Sequence, residues 1–211
     1  MKLHLRQLLK YKKDTAGVLL FLAAILIFMG IITAESFYPV DLSYTTREDE
    51  ISDLAATKPP DSIITQPSAT IFNTTAILTG LMILVASVLL HLSFHKRLQS
   101  IPLSFLGLGI LGVGLFPGNI TPWHSIFAFL IFISGGIAAL LSFTYVRVPL
   151  NYVFALLGVF SLFFLFTYNA FIPILGKGGT ERYVVYPIIF WLMGVGTYIF
   201  GLKKEENTNG K

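Results

Sequence analysis

Apolar runs long enough to cross a bilayer recur along the whole chain, and no other feature limits its fold so tightly. A membrane-spanning helix needs about 20 mostly apolar residues. Six such segments can be drawn, at 16–34, 71–94, 101–116, 123–146, 150–175 and 183–202. The third is short, and Pro117 at its far end terminates it. Charged residues make up only 12% of the 211, about half the ~25% of a soluble domain. No stretch is left for a separate soluble domain, and the pattern predicts an all-α integral membrane bundle of six transmembrane helices.

The first run follows the basic stretch MKLHLRQLLKYKK and so has the look of a secretion signal. Its apolar part, 16–34, is longer than the roughly 7–15 residues of a signal core, and Ile32 suits a cleavage site before Ala34 poorly. It reads as a retained first helix behind a basic tail, residues 1–15. Charge then orients the bundle. Lys2, Arg6, Lys10, Lys12, Lys13, Lys96, Arg97, Arg147, Lys203, Lys204 and Lys211 fall on one side, and only Arg47, Lys58, Lys177 and Arg182 on the other. The side richer in Lys and Arg faces the cytoplasm. The expectation is a multi-pass cell-membrane protein with both termini cytoplasmic, including the tail 203–211, and with the first loop, 35–70, outside.

That loop carries seven acids, Glu35, Asp41, Glu48, Asp49, Glu50, Asp53 and Asp61, and a KPPD stretch that stops regular structure. It exceeds ordinary connection lengths, so it is either disordered or a cap over the helix ends. Its centre, REDEISDLAAT, predicts a short helix with Ser52 or Asp53 as N-cap. Ile51 and Leu54 would then turn into the bundle or the interface.

Several chemistries are excluded or demoted. Cysteine is absent, which removes disulfides, thiolate metal sites and cysteine nucleophiles. The basic residues form short juxtamembrane clusters, so nucleic acid is no partner. The spans hold almost no charge at mid-depth, which speaks against an ion or proton path. GLGILGVG, at 107–114, contains a formal G-x-G-x-x-G, yet inside a membrane span glycines let helices approach one another, and SGGIAALLS in the fourth span reads the same way. His91 and His95, four apart, share a helix face suited to headgroup contact. Asn73 and Asn119 open N-x-T glycosylation patterns close to the membrane plane.

The polar residues expected at the outer face are Asp53 in the loop, Asn73 opening the second span, His124 opening the fourth, and Glu181–Arg182 before the sixth, after a flexible GKGG. An imidazole and carboxylates at such a surface can bind a metal or act as a general acid–base set. Alternatively, Asn73 caps its helix, Glu181 and Arg182 are solvated or pair with each other, and His124 bonds a backbone group. No H-E-x-x-H or G-x-S-x-G pattern is present to choose between these.

The stretches EISDLAAT, SATIFNTTAILTG, GVGLFPGNITPWHSIFAFLIFISGGIAA and GTERYVVYPIIFW, in this order, resemble the six-helix membrane proteins grouped as domain of unknown function 998. The resemblance runs from the first helix to the sixth. It implies the topology above and brings no established activity. It also implies recurring positions that Phe72–Asn73, Phe116–Pro117, His124 and Glu181–Arg182 match, while Ala55 stands where the family favours glycine.

The leading expectation is therefore a membrane protein with an outward-facing polar pocket at the outer leaflet. Asp53, Asn73, His124, Glu181 and Arg182 would line it and engage a lipid headgroup or small polar ligand, Arg182 suiting an anionic group. One rival is a non-catalytic accessory subunit of a larger membrane complex. Another is a membrane-embedded hydrolase with His124 as base and Glu181 or Asp53 as its carboxylate. The sequence names no cofactor and no metal set.

Overall fold

The computed structural model describes residues 2–94 and 97–201; the side chains of 2–10, 94, 97 and 98 lie outside that description, as do His95, Lys96, Lys203, Lys204 and Lys211. Six α-helices account for most of it: α1 (Lys2–Ser36), α2 (Ser68–Phe94), α3 (Arg97–Leu115), α4 (Trp123–Leu141), α5 (Leu150–Phe166) and α6 (Tyr168–Gly201). Among the described residues no strand forms, only an isolated bridge between Ala56 and Ile64. Stretches of α1, α2, α4 and α6 are long and apolar enough to cross a membrane, while α3 and α5 contribute shorter apolar helices. Large apolar side chains point outward all round. On α2, Leu78, Leu81, Val85, Val88 and Leu92 recur every three or four residues as one exposed face. Such a face is stable only against hydrocarbon or a partner.

Each helix packs on the next, α1 closes the ring against α6, and α4 also reaches α6. Glycines make the closest seams. A Cβ on Gly17 would meet the Gly196 carbonyl at 2.7 Å, and one on Gly158 would meet the Gly136 carbonyl at 2.7 Å. The four glycines of GLGILGVG divide by face, as helical spacing requires. Gly107 and Gly114 would clash with Leu84 and Asn73 of α2, at 3.0 and 2.9 Å, and Gly109 and Gly112 with Ile131 and Phe127 of α4, at 2.8 and 2.2 Å. The motif is a pair of helix seams. With Gly17 against Gly196 and Glu35 against Arg182, α1 and α6 run antiparallel, so their outer ends leave the bundle on the side away from the first loop.

The clearest departure of the helices from the expected segments is in the fifth. The expected fifth span, 150–175, is divided, because α5 ends at Phe166 and Thr167 leaves helical geometry at φ −106°, ψ 15°. Tyr168–Leu175 then belongs to α6, which bends at Gly176 (φ 76°, ψ 172°). The last helix therefore starts well before Tyr183. The cause is local: the polar Thr167-Tyr168-Asn169 cluster interrupts the apolar run, and Gly176 takes a backbone conformation that a side chain disfavours.

The first loop is a cap. It makes a one-turn 3-10 helix at Val40–Leu42, a turn closed by Asp49, and a second 3-10 turn at Ile51–Leu54. Ile51, Leu54, Ala55 and Ala56 are buried. Ser68 and Thr65 both donate to the Leu54 carbonyl, at 2.8 and 3.3 Å, tying the end of the cap to the start of α2. The turn begins two or three residues earlier than expected. Glu50 is its N-cap in extended geometry (φ −65°, ψ 155°), and Asp53, three residues on, completes a reciprocal capping box. Asp53 and Ser52 are thus inside the turn rather than capping it.

Candidate functional site

Glu181 and Arg182 follow the buried glycines of GKGG on α6 and are 7% and 8% exposed. Buried charges persist only with partners, and these two find theirs on different sides. Arg182 Nη2 donates to Glu35 at the end of α1 and to the Tyr44 hydroxyl, both at 2.6 Å. Its Nη1 donates to the carbonyls of Thr46 (2.9 Å), Asp49 (3.0 Å) and Gly178 (3.0 Å). The guanidinium also lies over the Tyr44 ring, 5.8 Å from its centroid. Burial, only partly opposed by Arg182, holds the Tyr44 phenol above its usual range and hence protonated. Nε of Arg182 is buried without a partner among the described residues.

The seat for this turn is GKGG. Gly179 N–H donates to the Arg47 carbonyl at 3.0 Å. A Cβ on Gly176 or Gly178 would fall 2.1 Å from the Arg47 carbonyl oxygen or 1.9 Å from that of Asp49. The stretch expected to be flexible is instead the surface on which the cap backbone lies, and only glycine lets it come so close.

Glu181 faces the other way. Its Oε2 accepts the Ile51 N–H at 2.5 Å, pinning the start of the second 3-10 turn. Beside it, Glu50 pairs with Lys58 and accepts the Tyr168 hydroxyl at 3.1 Å. Asp53 accepts the Glu50 N–H at 2.8 Å. Burial pushes the Asp53 carboxyl up to about 6, although that N–H bond favours its ionised form, and the charge of Glu50 adds to the rise.

His124 sits in the first turn of α4, 2% exposed. Its Nδ1 donates to the Phe116 carbonyl at 2.9 Å, joining the end of α3 to the start of α4 across the FPGNITPW turn. A carbonyl can only accept, so Nδ1 carries the proton and the neutral ring presents Nε2 as an acceptor.

His124 and Glu181 share a cavity. It offers about 80 Å³, several times the roughly 10–15 Å³ that one water needs. Its polar end is formed by Ser52, His124 and Glu181; below them the walls are hydrocarbon, among them Ile27, Ala76, Ile110, Ala128, Ile131 and Leu192. From Glu181 to Leu192 the wall runs about 16 Å down α6, at about 1.5 Å per residue. The imidazole and the carboxylate do not hydrogen-bond each other; each is held by a backbone group instead.

Of the five residues singled out from sequence, two therefore line one cavity. Asp53 lies in the same turn as the cavity residues Ile51 and Ser52 but serves the capping box. Asn73 follows the cavity residue Phe72 on another face of α2, and its Oδ1 is buried without a partner among the described residues, as is that of Asn119. Arg182 turns away to line an open groove of about 690 Å³ between α5 and α6. The contributors missed from sequence are Glu35, Tyr44, Glu50, Ser52, Lys58 and Tyr168. Ser52 had a signal, standing beside Ile51 and Leu54 in the segment expected to dip inward. No three His, Asp or Glu side chains converge as a metal set among the described residues.

The family model described as Protein of unknown function (DUF998) matches residues 18–198, so the chain belongs to that family. No curated protein and no solved structure matches it.

Proposed function

We propose that this DUF998 member is a multi-pass cell-membrane protein that holds an amphiphile, with the hydrocarbon in the internal cavity and the head at Ser52, His124 and Glu181. The first loop is its lid. The distribution of Lys and Arg supports an extracytoplasmic lid and cytoplasmic termini. The observation that carries the reading is a hydrocarbon-lined cavity ending in a buried imidazole and a buried carboxylate. Water gains little from such walls, whereas an apolar chain fits them. A polar head at that end would meet the imidazole, the carboxylate and the Ser52 hydroxyl.

In this reading Arg182, Glu35 and Tyr44 hold the lid, and Asp53 shapes the turn that covers the head. Hydrolysis by His124 with a carboxylate has less support, because Glu181 and Asp53 are both engaged with backbone N–H groups. The reading is tested by native mass spectrometry of protein taken from membranes in mild detergent. Wild type should carry a bound amphiphile, and Ala128→Leu, which fills the cavity, should lose it without loss of fold. An equal load in both would refute it.

The number of bonds on Arg182 favours one second reading, that of a non-catalytic accessory subunit presenting its cap to a partner protein. A stable complex recovered from native membranes by wild type but not by Arg182→Ala would support it.

A further inference from the structure

With Glu181 ionised, the polar end of the cavity is a pair of acceptors beside one hydroxyl. His124 has committed Nδ1 to Phe116, which leaves Nε2 as an acceptor. Glu181 uses Oε2 on Ile51 N–H, and no partner of Oε1 is found among the described residues. The nearest cation in sequence, Arg182, is spent on Glu35, Tyr44 and cap carbonyls and does not line the cavity. The Lys58 ammonium is held by Glu50. The one remaining polar group, Ser52, offers a neutral hydroxyl.

We infer that the bound amphiphile has a head that donates hydrogen bonds and carries no negative charge, a hydroxyl or an amine on a hydrocarbon chain. An amine head can donate to both Nε2 of His124 and Oε1 of Glu181, and a hydroxyl to one of them while it accepts from Ser52. A carboxylate or phosphate would meet two acceptors and no free cation, after losing its own water. This inference rests on the cavity reading above and adds the class of head group.

The test uses the full chain, stripped of lipid in detergent at alkaline pH. Its affinity is read from thermal midpoints against four probes of equal chain length: a primary alcohol, a primary amine, a fatty acid and an alkane. The alcohol or the amine should bind at least about tenfold more tightly than the acid and the alkane, about 1.4 kcal/mol. Glu181→Gln can still accept from Ile51 and adds a donor, so it should narrow the gap between alcohol and acid severalfold. Ala128→Leu should abolish the response to every probe. Equal binding of acid and alcohol, or a ratio unmoved by Glu181→Gln, overturns the head-group inference. So does an alkane that binds as well as the alcohol, although the cavity reading then stands. If no probe binds, or Ala128→Leu changes nothing, the cavity reading itself falls.

Discussion

Glu181 and Arg182 are neighbours in sequence, and a helix turns about 100° between them. That turn points them apart, Arg182 towards Tyr44, Thr46 and Asp49 of the cap and Glu181 towards Ile51 and the cavity. Arg182→Ala strands Glu35 and releases the carbonyls of Thr46 and Asp49. Breaking a buried ion pair in this way should cost about 3 kcal/mol, read as a lower thermal midpoint together with faster proteolysis within the first loop. Arg182→Lys keeps the charge but not the fork, and should recover only part of the loss. Asp53 gives a pH signature. Its carboxyl titrates near 6 in the fold, raised by burial, against about 3.9 unfolded. Between those values the folded chain keeps a proton that the unfolded chain has released, so stability falls as pH rises from about 4 to about 6. Asp53→Asn should reduce that slope, and an unchanged slope in a midpoint-versus-pH series would contradict the assignment.

Among the elements, the helices and the cap were legible in different degrees. Long apolar runs announce α1, α2 and α4 because a single physical requirement, burial of backbone in hydrocarbon, writes them into composition. The inward turn of Ile51 and Leu54 was equally readable, since both are apolar in an acidic segment. The break at Thr167 was harder, because no proline or glycine marks it. GKGG reads as flexible from sequence, since glycine signals freedom and close approach with the same letters; only the Arg47 and Asp49 carbonyls opposite decide. Glu35 stayed hidden for a similar reason, as its partner Arg182 lies 147 residues away. The glycine seat has a direct test. Gly178→Ala should push the cap off α6 and expose the first loop to protease, while Gly201→Ala, with open space around it, should leave the digestion pattern unchanged.

At the scale of the whole molecule, six consecutive helices close into a ring that is apolar outside and holds a narrow hydrocarbon-lined cavity, with the hydrogen-bonded first loop as its cap. The opposition of surfaces is what joins fold to function. An apolar exterior suits the bundle to lipid, and in the proposed reading the first loop is the lid that shields two buried polar groups at one end of a hydrocarbon space. Filling that space should also stabilise the empty protein, since cavity-filling substitutions commonly add about 0.5–2 kcal/mol. Lipid-free Ala128→Leu should therefore melt at or above the wild-type midpoint even as it loses its ligand. The central claim is tested most directly by a high-resolution structure of the protein extracted with its native lipid. The account predicts continuous elongated density running from His124 and Glu181 along α6 towards Leu192. A cavity closed by its own side chains, with His124 and Glu181 bonded to each other, would contradict it.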